Sequence, residues 1–295
     1  MKNASLEDVF RHLPIKGDAA FTNARGKFQE KIKKQQLRVL NGFVDELKHL
    51  LEEDEEILFA SRGVSPFTIL EQLTSGGWIY YVKACLLVLT DRRILHFPSG
   101  YRNKPRNSVS HIRFQDIESF KGKRRITFRY KNGSKEVFSQ VRGGKRLVQL
   151  LKRLVATSST SSPHGGRQNL CPRCTAPLAR GRFTCPRCRL EFKDPKAARI
   201  YSIFLPGGGY FYTRHPLLGI GDAVAELILT FLTILFLLQF FSDPGKNPVT
   251  LLMGLAFGMV LALEKVITVY HSGHFIREYI PAERRFRKIP QGSGF

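Results

Sequence analysis

The chain has 295 residues, with 47 lysines and arginines against 24 aspartates and glutamates, which gives a formal net charge of +23. This length accommodates two or three modules, and the charge favours acidic partners such as nucleic acid or anionic lipid headgroups. Five cysteines in a chain of this length do not suggest a disulfide scaffold. Residues 1–25 lack the apolar core of a signal peptide, so we expect membrane entry to come from later segments.

The amino-terminal segment, residues 1–54, is predicted to be helical. Between Phe28 and Glu52, apolar residues recur every three or four positions with charged residues between them, which is the period of an amphipathic helix. This pattern is too short to indicate a coiled coil. We therefore expect the helix to pack on the adjacent domain, with dimerisation as the alternative.

From residue 55 to residue 155 the apolar period changes to two, which indicates β-strands. The pair Asn132-Gly133 predicts a hairpin turn, and leucines on one side of residues 144–155 predict a closing helix. The expected strands are Ile57–Val64, Tyr80–Thr90, Arg93–Phe97, Ser108–Phe114, Ile117–Phe120, Ile126–Tyr130 and Glu136–Val141. This succession predicts a small β-barrel or sandwich whose open end is capped by the C-terminal helix. Cys85 is expected to be a core residue.

Motifs in this region resemble those of a known domain family. Glu55-Glu56-Ile57-Leu58 enters the first strand, and the later run Leu87-Val88-Leu89-Thr90-Asp91-Arg92-Arg93-Ile94-Leu95 is similar to the central hairpin of bacterial pleckstrin-homology-like and GRAM-type domains. The resemblance implies a non-enzymatic binding domain of unspecified ligand. Four cations between two of its strands could contact an anionic lipid or an acidic protein, with plain solvated charge as the alternative. These are Lys121, Lys123, Arg124 and Arg125.

Residues 156–170 are rich in Ser, Thr and Gly and predict a flexible linker. Two Cys-Pro-Arg-Cys motifs follow, with ten residues between them. Four thiols at this spacing suit a tetrahedral Zn²⁺ whose ligands all come from protein, which leaves no coordination position for catalysis. The predicted ligands are Cys171, Cys174, Cys185 and Cys188.

The cysteine spacing resembles that of rubredoxin-type zinc ribbons, which implies a structural metal held by residues 171–192. Reduced thiols that hold zinc indicate a cytosolic compartment. Two redox-active pairs are the alternative, but no thioredoxin-like strand and helix surround them.

Residues 200–280 predict a membrane hairpin. Leu217–Phe241 and Val249–Tyr270 are each long and apolar enough to cross about 30 Å of hydrocarbon as a helix, and a turn rich in proline and glycine joins them. Lys and Arg flank the outer ends of the pair, whereas the turn has only Lys246. The positive-inside rule therefore puts both termini, including the basic tail at residues 281–295, in the cytosol. A pair of buried helices in a soluble protein is the alternative.

The segment Leu205–Tyr212, with its glycines and its Phe-Tyr pair, resembles the opening of the two-transmembrane-helix domain family. That resemblance implies an integral membrane protein, here of a bacterial inner membrane. Ionisable residues inside membrane spans are costly. Asp222 and Lys265 lie at similar depth from the expected cytosolic ends, so we expect them to pair across the hairpin. An ion or proton path that uses Asp222, Glu226 and Glu264 in a homo-oligomer is the alternative.

No catalytic motif is recognisable, since a phosphate loop, Gly-x-Ser-x-Gly and His-Glu-x-x-His are all missing. The sequence therefore predicts a membrane-anchored, non-enzymatic binding or scaffold protein whose partners are the bilayer and an anionic lipid or protein. A membrane-tethered nucleic-acid-binding protein is one alternative, and an oligomeric channel or transporter subunit is another. The nucleic-acid hypothesis uses base stacking on aromatic rings beside cations, namely Phe183 and Phe192 with Arg173, Arg180, Arg182, Arg187 and Arg189.

Overall fold

The computed structural model describes residues 9, 11–100, 104–156, 165–243, 245, 247–283 and 286–289. Within them the chain divides into two compact units. The first combines the residues up to Glu191 with those from Glu283 onward, and the second is Phe192–Ala282. The second unit is therefore inserted into the first, because the chain leaves the first unit once and later returns to it.

The first unit is a mixed α/β body with two antiparallel sheets. Its helices are α1 Gly17–Ala20, α2 Glu30–Asn41, α3 Val44–Leu50, α4 Ile69–Ser75, α5 Ile79–Val82 and α6 Gly144–Ala156. Its strands are β1 Ile57–Val64, β2 Ala84–Thr90, β3 Arg93–Pro98, β4 Val109–Arg113, β5 Ile117–Gly122, β6 Ile126–Tyr130, β7 Lys135–Phe138 and β8 Gln168–Leu170. The strand order is β1-β2-β3-β4-β8 in the larger sheet and β5-β6-β7 in the smaller.

The larger sheet has a hydrophobic cluster on each face, as the period of two predicts. On one face, Leu86 and Val88 of β2 pack in a core with residues of α2 and α3, among them Leu40. On the other face, Leu87 and Leu89 of β2 belong to a core shared with the smaller sheet and α6. The N-terminal helices thus pack on the adjacent sheet, as the sequence predicts.

A buried ion pair joins the N-terminal helices to the β2–β3 hairpin. The fully buried Glu55 carboxylate accepts hydrogen bonds from Arg93 Nε at 3.0 Å and from Arg93 Nη2 at 2.8 Å. Arg93 Nη2 also donates to the Leu50 carbonyl at 2.9 Å, and Thr90 Oγ1 donates to Glu55 at 2.7 Å. Burial raises the pKa of Glu55, but these hydrogen bonds from Arg93 outweigh it and hold that pKa below its ordinary value.

Several element boundaries differ from the sequence predictions. The single helix expected over residues 28–52 is two helices, α2 and α3, and the break at Gly42-Phe43 lets both contribute to one core. Residues 80–83, expected to start a strand, are helical or turn instead, and the Tyr80 ring packs edge-on against Phe67 at 6.0 Å. A run of apolar and aromatic residues fits a strand or a short helix equally well.

The predicted linker over residues 156–170 is only partly observable. Residues 157–164 lie outside the described residues. Gln168–Leu170 forms strand β8, which pairs antiparallel with β4 through the register Val109↔Leu170 and His111↔Gln168. A three-residue strand is too short to show an alternating pattern, so composition alone assigned it to the linker.

The second unit is helical, with α7 Pro195–Phe204, α8 Gly208–Tyr212, α9 Pro216–Ser242 and α10 Pro248–Ile276. Helices α9 and α10 have 27 and 29 residues and mean hydropathies of 2.3 and 1.9 in their most apolar stretches, so both could cross a membrane. Most of their large apolar side chains are exposed rather than packed in a core. That exposure is unlike the core helices of a soluble protein.

Candidate metal centre and membrane helices

The four predicted cysteines lie together in the first unit. Their Sγ atoms all lie within 4.8 Å of one another, and two of the separations are 3.5 Å, for Cys171 and Cys188, and 3.6 Å, for Cys174 and Cys185. All four are free thiols, since a disulfide would need about 2.05 Å. Four sulfurs at about 2.3 Å from a tetrahedral zinc stand about 3.8 Å apart. The sulfur positions therefore fit a zinc ion with little movement.

The centre is built from one loop conformation used twice, fourteen residues apart. In the first copy the Cys171 N–H donates to the Ala176 carbonyl at 2.8 Å, and in the second Cys185 donates to Leu190 at 2.9 Å. Matching residues after each motif, Thr175 and Arg189, adopt left-handed backbone angles with φ of 60° and 55°. Residues other than glycine seldom adopt this backbone conformation, so it could not be predicted from the sequence.

Burial and hydrogen bonds from backbone N–H groups act in opposite directions on the pKa values of three of the thiols. Burial raises the pKa of the Cys171 thiol even though the N–H groups of Arg173 and Cys174 donate to it. Burial likewise raises the pKa of Cys174 to about 11. At Cys185 burial is outweighed by N–H donors from Cys188 and Arg187, and the pKa lies below its ordinary value. A divalent cation would supply the positive charge that thiolates at this site need.

The candidate metal centre is continuous with the larger sheet and with the C-terminal tail. Strand β8 ends at Leu170, immediately before the first cysteine, and so ties the centre to β4. The Ile289 N–H donates to the Arg173 carbonyl at 2.8 Å, inside the first Cys-Pro-Arg-Cys motif. Lys288 Nζ donates to the Asp45 carbonyl at 2.8 Å. The centre therefore cross-links segments that are far apart in sequence.

The predicted cation cluster is the exposed turn between β5 and β6. Lys121, Lys123, Arg124 and Arg125 are all exposed there. The turn needs Gly122, whose φ is 127° and where an added Cβ would lie 1.8 Å from the Arg125 carbonyl oxygen. The Val141 N–H donates to the Arg124 carbonyl at 2.8 Å. This basic turn is thus held in place by its backbone while its charges face solvent.

The two aromatic residues of the nucleic-acid hypothesis differ in exposure. Phe183 is half-buried in the loop between the two cysteine motifs. Phe192 is buried, and its ring centroid lies 5.6 Å from that of Tyr279 in an edge-on arrangement within the second unit. Phe192 therefore has no exposed face on which a base could stack.

The long helices bring three carboxylates together. One oxygen from each of Asp222, Glu226 and Glu264 lies within 4.8 Å of the others. The expected Asp222–Lys265 pair is not the one that forms, because Lys265 Nζ lies 2.5 Å from Glu226 Oε2. Asp222 instead accepts from Thr268 Oγ1 at 3.1 Å, a partner that the sequence interpretation did not consider.

No family model matches this chain, and neither a curated protein nor a solved structure matches it. The function is therefore inferred from the chain's own geometry: a four-cysteine cluster that could hold a metal ion and two apolar helices that could embed in a membrane.

Proposed function

We propose that the chain is a membrane-anchored, non-enzymatic binding or scaffold protein. The observation that carries this proposal is the exposure of α9 and α10, because most of their large apolar side chains are exposed. A bilayer removes such side chains from water and satisfies the backbone within each helix. The outer ends of the pair carry the Lys and Arg excess, so both termini belong in the cytosol, at a bacterial inner membrane in this proposal.

The metal in this proposal is zinc, and its role is structural. Four protein thiolates fill a tetrahedral coordination sphere and leave no position for water or substrate. A structural role is supported by the backbone bonds that connect the cysteine loops with β8 and the C-terminal tail, because these bonds hold together segments that are far apart in sequence. The ribbon-like doubling of the cysteine loop supports the same assignment.

The binding module in this proposal is a pleckstrin-homology-like domain. Strands β1–β7, in two antiparallel sheets, are followed by helix α6, and a core shared by both sheets and this helix supports that assignment. The basic turn at residues 121–125 is the part of the domain that contacts the ligand. Its four exposed cations lie close together, and each contributes roughly 1 kcal/mol to binding of an anionic membrane surface. Tethering by α9 and α10 would raise the effective concentration of this turn at the membrane.

The experiment measures whether the chain, anchored in one vesicle, captures a second vesicle. The full chain is reconstituted in neutral phosphatidylcholine vesicles, and fluorescent vesicles that contain phosphatidylserine are added at low and at physiological salt. We expect capture that falls as salt rises, because the Debye length shortens to about 8 Å. Changing the four cations of the basic turn to Gln should lower capture by about tenfold or more.

The matched control changes four exposed cations on and before α2, again to Gln, which gives the same loss of charge. These are Arg25, Lys27, Lys31 and Arg38. Capture that is indifferent to anionic lipid, or that falls equally in both variants, would count against the basic turn as the contact. A protein ligand would then be the better assignment for the domain.

A second candidate function is an oligomeric channel or transporter subunit. The favouring observation is the cluster of Asp222, Glu226 and Glu264 with Lys265 on two helices that could span a membrane. One pair of helices cannot enclose a pore, so this function requires several copies. Proton or cation flux into vesicles that contain the protein, abolished by Glu264→Gln, would favour it over the scaffold. Flux equal to that of empty vesicles would reject it.

A further inference from the structure

The connection between β1 and β2 presents an apolar surface that none of the functions above uses. We call residues 66–82 the aromatic segment; it contains α4, a 3₁₀ turn at Gly76–Trp78 and α5. Five of its large apolar side chains are exposed, which is unusual for adjoining residues of a soluble body. They are Ile69, Leu70, Leu73, Trp78 and Tyr81, with exposures from 49% to 79%.

The charge of the aromatic segment is buried. Glu71 is its one residue that is charged at neutral pH, and this residue is fully buried at 3.3 Å from Lys83, itself buried immediately before β2. Thr68 caps α4, because its hydroxyl accepts from the Glu71 N–H at 3.1 Å while Glu71 Oε2 accepts from the Thr68 N–H at 2.7 Å. The exposed face is consequently apolar and uncharged. A face built to pair with a charged protein groove would present charge.

The start of the aromatic segment and the basic turn are linked through one short stretch of chain. It begins two residues after Val64, whose N–H and carbonyl bond to Ser139 at 2.8 and 3.0 Å. Two residues further along, the Val141 N–H bonds to the Arg124 carbonyl of the basic turn. Both features are therefore attached to the same short stretch, residues 139–141.

We propose that the aromatic segment inserts its exposed apolar side chains into the interfacial layer of an anionic bilayer, beside headgroups held by the basic turn. Tryptophan and tyrosine prefer that layer, where an amphipathic ring meets both acyl chain and water. An apolar face flanked by cations is the pattern of elements that lie in a membrane interface. This inference rests on the proposed membrane anchoring and adds a second, separate contact with lipid.

Trp78 makes the inference directly measurable, because it is the one tryptophan of the chain. The zinc-loaded full chain is reconstituted in vesicles that contain phosphatidylserine, with brominated acyl chains as the quencher. We expect blue-shifted Trp78 emission that brominated lipid quenches and that aqueous iodide reaches poorly. Ile69→Ser with Leu73→Ser keeps the probe and should abolish the lipid quenching. Phe28→Ser, at another exposed apolar residue, should leave it unchanged.

Other outcomes overturn the inference. Emission that iodide quenches and brominated lipid does not would put Trp78 in water. Emission shifted to the blue in native membranes but not in protein-free lipid would indicate a protein partner. Anchoring is tested separately on the same vesicles by extraction at high pH. A chain that resists extraction while Trp78 escapes lipid quenching overturns this inference alone, whereas a chain released without detergent overturns the proposed function.

Discussion

Lys265 Nζ lies 2.5 Å from Glu226 Oε2, and this contact joins the two long helices within the outer half of each. The antiparallel register accounts for the choice of partner. An added Cβ at Gly254 would lie 3.0 Å from Leu237, and the same offset along the two helices puts Lys265 opposite Glu226. Glu226 is 2% exposed, so its charge depends on this ammonium for compensation.

Breaking that pair should destabilise the helical unit. Lys265→Met leaves a buried carboxylate without its cation and should cost about 3 kcal/mol or more. Adding Glu226→Gln should restore most of the loss, because the uncompensated charge is then removed. Reversible unfolding in lipid bicelles measures both. Asp222→Asn is the matched control, with a loss of about 1 kcal/mol at most; additive losses in the double variant would contradict a direct pair.

Zinc should be present and should hold the tail. Elemental analysis should find about one zinc per chain, and Cys174→Ser should lose it. Chelation should raise amide exchange at Leu170 and at Ile289, since β8 and the tail bond next to the cysteine loops. Cys85→Ala is the control, because this buried thiol lies in the core between the sheets and should keep the zinc. Metal content well below one, with freely alkylated thiols, would refute the centre.

Stability of the first unit should fall below neutral pH. Burial lowers the pKa of His111 from 6.5 to about 4, and burial also lowers that of His96 well below 6.5. Between pH 6.5 and pH 4 the unfolded chain therefore binds more protons than the folded chain. The free energy of unfolding is consequently highest above pH 6.5 and decreases as the pH falls towards 4. For His111 the change is about 3 kcal/mol in all.

Amide exchange of β3 and β4 between pH 7 and pH 5, corrected for intrinsic rates, measures this loss of stability. His111→Gln should flatten its dependence on pH. His12→Gln, at an exposed residue, should leave the dependence unchanged. Equal slopes in the wild type and in His111→Gln would show that His111 is not the titrating group.

The topology is tested by labelling introduced cysteines from each side of the membrane. Gly245→Cys, in the turn between the long helices, should react only from outside the cytosol. Lys196→Cys, exposed near the start of α7, should react only from the cytosol. The native thiols should react slowly, since Cys85 is buried and the zinc would protect the other four. Labelling of both positions from one side would reject a hairpin that crosses the membrane.

Local patterns account for what the sequence predicted correctly. The four cysteines were identifiable because each ligand pair is set by one turn, and strands such as Ile57–Val64 were identifiable because their apolar period is two. The partner of Lys265 could not be identified from the sequence, because it depends on the register between two helices. The sequence interpretation ended the second helix near Tyr270, whereas α10 continues to Ile276, and that difference shifts every estimate of depth.

The remaining surprises come from conformations that composition does not favour. Thr175 and Arg189 take left-handed angles, which the repeated hydrogen bonds of the cysteine loops impose. The aromatic segment resembles a strand in its apolar content, and only its capping box marks the start of a helix. Its exposure could not be deduced from sequence, because burial depends on what the rest of the chain covers.

The division of the first unit between two stretches of chain has a consequence for biosynthesis. Residues such as Lys288 and Ile289, which bond to α3 and to a cysteine loop, are synthesised after both apolar helices. The N-terminal body therefore cannot make all of its contacts until the ribosome has passed the second helix. The N-terminal body is therefore complete only after both apolar helices have been synthesised. In a nascent chain stalled before Glu283, that body lacks the tail contacts and should be cleaved more readily by proteases.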